Sequence, residues 1–129
     1  MSEKIPHRIL IIEDNSDSAE LLKVLLEINN HKVEMAFDGE SGLTKASWFK
    51  PQIIICDIGL PGKVNGLEVA KTLRKNEDTQ AVHLIALSGY GQVEDVKEAE
   101  SAGFNHHFVK PADFDKLIKL IEDFEVSYK

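Results

Sequence analysis

The chain has one cysteine, four prolines and no long apolar run, and each scarcity closes off a class of protein. A lone cysteine cannot build an internal disulfide framework, and it suits a reducing compartment. Cys56 sits inside a short apolar run, where a small core residue is expected rather than a reactive thiol. No stretch approaches the length of a membrane span, and the opening Met1-Ser2-Glu3-Lys4 carries no signal-peptide core. A cytoplasmic protein without membrane insertion is the expectation. Lysine and arginine nowhere cluster, and a net charge of −7 disfavours direct nucleic-acid binding through a broad basic face. Internal repeats, low-complexity tracts and linkers are missing as well. With 129 residues, 43% of them hydrophobic, one domain over 1–129 with a short tail at 1–6 is expected.

What is present is an alternation. Ile53-Ile54-Ile55-Cys56 is apolar without interruption, as in a strand buried on both faces, and it delivers Asp57 at its carboxyl end. Arg8-Ile9-Leu10-Ile11-Ile12 is a similar run ending in Glu13-Asp14. Lys32–Ala36 alternates polar and apolar residues, Val82–Leu87 runs into Ser88-Gly89-Tyr90-Gly91, and His106–Val109 runs into Lys110-Pro111. Between these runs lie helical patterns. The first has cap residues on offer in Asn15-Ser16-Asp17, the spacing of a capping box at Asp17–Glu20 and an apolar stripe of Leu21, Leu22, Leu25, Leu26 and Ile28, closed by Asn29-Asn30. The second turns Leu43, Ala46 and Phe49 inward and stops before Pro51, with Trp48 expected to pack on its face. The third starts at the cap Asn65, with Glu68 three residues on and Val69, Ala70 and Leu73 inward. The fourth carries Val93, Val96 and Ala99 and ends at Gly103, and the fifth is capped by Asp113 ahead of Phe114, Leu117, Ile118, Ile121 and Phe124. Five strands alternating with five helices predict an α/β fold, a doubly wound parallel sheet with helices on both faces.

In such a sheet the carboxyl ends of the strands share one edge, where ligands bind. Glu13, Asp14, Asp57, Ser88 and Lys110 all fall there. Taken singly, each has an ordinary explanation: solvated acids, a turn serine, a surface lysine. Taken together, three carboxylates need a cation, and oxygen ligands suit Mg²⁺. A carboxylate beside a metal can attack phosphorus, while a hydroxyl and an ammonium engage phosphoryl oxygens. The set reads as metal-assisted phosphoryl transfer onto Asp57.

Glu13-Asp14, Asp57 with Leu60-Pro61-Gly62, Ser88-Gly89 and Lys110-Pro111 resemble the signature of the response-regulator receiver domain, and the resemblance spans essentially the whole chain. It implies the flavodoxin-like, CheY-like fold with strand order 2-1-3-4-5. It implies that Asp57 accepts a phosphoryl group from a histidine kinase or a histidine phosphotransfer protein. Asp14, Asp57 and the Gly59 carbonyl would hold Mg²⁺, with Glu13 acting through water. Ser88 would be the switch hydroxyl, Lys110 the phosphate contact, and Lys110–Pro111 a cis bond. A downstream effector would bind the face of the fourth helix, fifth strand and fifth helix. By the same resemblance the protein is a monomer or weak homodimer, and its only catalysis is its own phosphorylation and dephosphorylation.

Two features depart from the pattern. The loop Pro61–Gly66 is one residue longer than usual, and His107 stands where a switching Tyr or Phe is common. Residues 86–91 with 103–111 are similar to receivers attached to hybrid sensor kinases, so the chain is either a stand-alone receiver or the N-terminal piece of something longer. Of the two adjacent histidines, His107 is expected near the crevice and His106 on the opposite face, neither with a catalytic role. A phosphatase using an aspartyl-phosphate is disfavoured because Gly59 stands where it needs a second acid. A receiver-like module that is never phosphorylated is the other rival. A flavin carrier is weaker, because the acidic first loop repels a flavin phosphate.

Overall fold

Strands covered on both faces have no polar side to show, which is why the central runs are apolar throughout. A computed structural model describes residues 6–89 and 93–124. In chain order the elements are β1 (Arg8–Ile12), α1 (Ser16–Ile28), β2 (Lys32–Ala36), α2 (Gly39–Phe49), β3 (Ile53–Asp57), α3 (Gly66–Lys75), β4 (His83–Ser88), α4 (Val93–Ala102), β5 (His106–Val109) and α5 (Phe114–Asp123). The five strands are parallel in the order β2-β1-β3-β4-β5. This is the flavodoxin-like, CheY-like arrangement. Of the 1–6 tail only Pro6 is described; Tyr90, Gly91 and the side chain of Val93 also lie outside the description.

The sheet separates two cores. Alternate residues of β1, β3 and β4, among them Leu10, Ile54 and Leu84, pack under α2, α3 and α4. The intervening residues, among them Ile11, Ile55 and Ile85, pack under α1 and α5. Ile53, Ile54 and Ile55 are wholly buried, and each such side chain contributes roughly 1.5–3 kcal/mol of hydrophobic stabilisation. Among the described residues no helix is long and apolar enough to cross a membrane.

Several local expectations are corrected. Of the cap residues on offer Asn15 caps α1, its side chain accepting the Ser18 N–H at 3.0 Å, and Asp17 lies inside the helix, so the Asp17–Glu20 box does not start it. The helix starts early because the Asn15 N–H is itself held by Glu13 Oε2 at 3.0 Å. The buried stripe of α1 is Ala19, Leu22 and Leu26, at i, i+3 and i+7; Leu21 and Ile28 are rotated off it and are 53% and 69% exposed. β4 begins at His83 because the Val82 N–H closes a turn onto the Thr79 carbonyl. Trp48 is 57% exposed and meets Phe49 edge-on, so it packs in no core. The caps at Asn65 and Asp113 are as expected, and Asn30 and Gly103 take the positive φ that ends α1 and α4.

Candidate functional site

Strand register brings the crevice together. Ile12 pairs with Cys56, Cys56 with Ala86 and Ala86 with His107, so Glu13, Asp57, Ser88 and Lys110 all come within three residues of one register level. The ends are tied by backbone bonds beyond the ladders: Ile58 N–H to the Leu87 carbonyl at 2.8 Å, and Lys110 N–H to the Ser88 carbonyl at 2.7 Å. Gly66 fixes the loop after β3 in the same way. A Cβ there would lie 2.3 Å from the Asp57 carbonyl oxygen, so only glycine lets α3 start this close.

Asp57 is buried at the tip of β3, and both its oxygens are engaged. Oδ1 accepts the Gly59 N–H at 2.9 Å, and Oδ2 accepts from Lys110 Nζ at 2.8 Å. Lys110 also bridges to Glu13 Oε1 at 2.5 Å, across 97 residues of sequence. Asp14 stands exposed at the mouth, and one carboxylate oxygen each from Glu13, Asp14 and Asp57 lies within 4.8 Å of the others. Three carboxylates against one ammonium leave two formal negative charges in excess, which a divalent cation would neutralise. The hard oxygen donors fit such an ion, so the acidic cluster is one that can bind a metal.

The electrostatics are consistent with that excess. Burial lifts the Glu13 carboxyl above its usual range, the hydrogen bonds from Lys110 and Asn15 pull the other way, and the Asp57 charge adds to the rise. For Lys110, burial pulls the ammonium down, but hydrogen bonds to Asp57 and Glu13 outweigh it and raise its pKa. Cys56, wholly buried beneath the site, has its thiol pushed far up by burial and then by the charges of Asp57 and Glu13, as suits an inert core residue.

Ser88 is also buried, but its hydroxyl lies 2.8 Å from His107 Nε2. His107 therefore lies beside the crevice, while His106 is on the other face, 4.8 Å from the ring of His83. The Lys110–Pro111 bond is cis. Sequence reasoning placed Glu13, Asp14, Asp57, Ser88 and Lys110 at one edge, and all five lie there. It missed Asn15 as the residue that orients Glu13, and it considered Gly59 only for its carbonyl and not for the N–H that bonds to Asp57. It also missed a mostly apolar cavity of about 350 Å³ beside Lys110, between α1 and the start of α5, lined in part by Leu21, Leu22, Pro111 and Phe114. The one available signal for that cavity was the surplus of leucines in α1.

A parallel 2-1-3-4-5 sheet with an acid cluster, a hydroxyl and a lysine at its carboxyl edge defines the class: a doubly wound α/β module with its charged and polar groups gathered where such sheets bind ligands. Comparison with known proteins makes the class specific. The family described as the response regulator receiver domain matches residues 9–122. The chain is 32% identical to the DNA-binding dual master transcriptional regulator RpaA of Synechocystis over 111 residues, which are 86% of this chain and 46% of that protein. It is 32% identical to Protein PilH of Pseudomonas aeruginosa over 114 residues, 88% of this chain and 93% of that one. A crystal structure of a response regulator from Chloroflexus aurantiacus superimposes with a TM-score of 0.86 at 28% identity, covering 92% of this chain and 97% of that one. The chain belongs to the response-regulator receiver domain family of two-component systems. It spans about half the length of RpaA and nearly all of PilH.

Proposed function

We propose that Asp57 is the phosphoacceptor of a phosphorelay and that its phosphorylation switches a partner-binding face. The observation that carries this reading is the pairing of the buried Asp57 carboxylate with Lys110 at 2.8 Å, inside an acid cluster whose oxygen donors fit a dication. Mg²⁺ would be held by Asp14, Asp57 and the Gly59 carbonyl, with Glu13 acting through water. When bound, the ion supplies charge neutralisation and polarises a phosphoryl oxygen. The rest falls to the chain itself. Asp57 forms an O–P bond as the bond from phosphorus to the donor histidine nitrogen breaks, and the electron pair returns to that nitrogen. Gly59 N–H and Lys110 hold the carboxylate in one plane, which spares the reaction the entropy of orienting it. Lys110 then has a phosphoryl oxygen to bind, and Ser88 supplies a second donor once it turns from His107.

The donor is a histidine kinase or a histidine phosphotransfer protein. The readout is the face of α4, β5 and α5, which the turn of Ser88 would disturb first, and a downstream effector would bind there. The module acts in the cytoplasm as a monomer or weak homodimer and is no metabolic enzyme, since Gly59 offers no second acid for turnover. The test is intact mass after incubation with Mg²⁺ and acetyl phosphate, beside Asp57→Asn. One added phosphoryl group, lost with chelator and in the variant, is expected. No addition to the wild-type chain would refute the phosphoacceptor reading and leave a receiver-shaped binding module.

A further inference from the structure

The hydrogen bond between Ser88 and His107 sets a condition on the site that an aromatic ring at position 107 would not. A serine hydroxyl has one proton to give. If that proton points to a neutral His107 Nε2, it is not available to a phosphoryl oxygen on Asp57. If Nε2 itself carries a proton, the imidazole donates, Ser88 Oγ accepts, and the hydroxyl proton can turn toward the acceptor. Which arrangement holds is decided by the ring, and an imidazole is the side chain whose charge changes nearest to neutral pH.

The ring borders both the crevice and the space under α4. His107 lies on the α4 side of β5, beside a cavity of about 580 Å³ that is also lined by Val96, Ala99, Glu100 and Phe104. Among the described residues the charged and titratable groups around it are Glu100 on α4, His106 adjacent on β5 and, across Ser88, Lys110 and Asp57. Glu100 lies on the cavity side of the ring and Lys110 on the crevice side.

We propose that His107 is a proton-linked latch on Ser88: neutral, with its proton on Nδ1 and Nε2 bare, it holds the hydroxyl proton away from the acceptor site; protonated at Nε2 as well, it returns that proton and moves toward α4. The inference rests on Asp57 being the phosphoacceptor and assigns the control of that same site. His107 is a positioning residue, since it acts through Ser88. Proton uptake by His107 and phosphoryl engagement by Ser88 are thus reciprocally linked.

The test is the affinity for beryllofluoride, a stable phosphoryl mimic, with saturating Mg²⁺, measured by calorimetry at pH 8.0 and pH 6.0. It uses the whole chain and the variants His107→Phe and His107→Gln. One ordinary net hydrogen bond corresponds to about a fivefold change. The wild type should therefore gain about fivefold more affinity on acidification than either variant, and His107→Phe should bind more tightly than wild type at pH 8.0. In NMR titrations the wild-type His107 ring should hold its proton to higher pH with beryllofluoride bound than without. His107→Gln keeps a polar side chain of similar reach, so a poorly folded Phe variant leaves the comparison intact. Equal pH dependence in wild type and variants would overturn the latch while leaving Asp57 as acceptor. No binding by the wild type at either pH would overturn both.

Discussion

Acid should loosen this fold through His83. The residue opens β4 with its ring 4.8 Å from His106 and 4.7 Å from Phe124, and its buried Nε2 makes no hydrogen bond. Burial, then the charges of His106 and Arg74, hold its pKa at about 4 against an ordinary 6.5. The folded pKa is thus depressed. Between pH 6.5 and about 4 the unfolded chain binds a proton at this ring and the folded one does not, so stability is present above that window and is lost as the pH falls through it. At pH 5.0 the linkage amounts to about 2 kcal/mol, and solvent reaching the partly exposed ring brings the expected effect to about 1 kcal/mol. Urea unfolding followed by far-ultraviolet circular dichroism at pH 7.5 and pH 5.0 measures it. The wild type should lose about 1 kcal/mol more than His83→Phe between the two conditions. If the two proteins lose stability in parallel, the buried neutral imidazole is not what makes the fold acid-sensitive.

Gly66→Ala should cost about 2 kcal/mol or more in thermal unfolding, because the added Cβ would lie 2.3 Å from the Asp57 carbonyl oxygen and 2.6 Å from Ile58 Cα, and neither backbone atom can give way. An unchanged melting temperature would show that α3 enters elsewhere. Lys110→Met removes the only described cation touching both Glu13 and Asp57, and labelling of Asp57 by acetyl phosphate should fall about tenfold or more. The circular dichroism spectrum should stay that of the wild type, which separates a lost phosphate contact from a lost fold.

The sheet was the most legible part of the sequence, because burial on both faces leaves an unbroken apolar run and β1, β2, β3 and β5 fall where such runs or alternations lie. Helix detail was less so. A stripe of leucines fixes that α1 is a helix but not which leucines face in; Leu21 and Ile28 have the composition of core and the position of surface. Which of Asn15, Ser16 and Asp17 caps α1 was not legible, because Asn15 is held by Glu13, a contact that depends on tertiary placement of the Glu13 carboxylate. At the crevice, residue types at strand ends announced which groups would meet. They did not announce who bonds to whom. That Lys110 bridges Glu13 as well as Asp57, and that Ser88 faces His107, follows from the register of β4 on β5 and from β3 lying between β1 and β4. No spacing within one element encodes that.

The two sides of the crevice differ in how firmly they are anchored. β3, which carries Asp57, is buried at every position, while β5, at the sheet's edge, is half-buried along its first three residues and exposed at the last. Asp57 thus sits on bedrock, and Ser88, His107 and Lys110 sit on or beside the sheet's margin. Inherited changes should divide along the same line. Substitutions in β1 and β3 will mostly be purged as folding failures, whereas substitutions along β5 can survive as altered set-points of the proposed switch. It is at that margin that relatives of this chain are free to diverge.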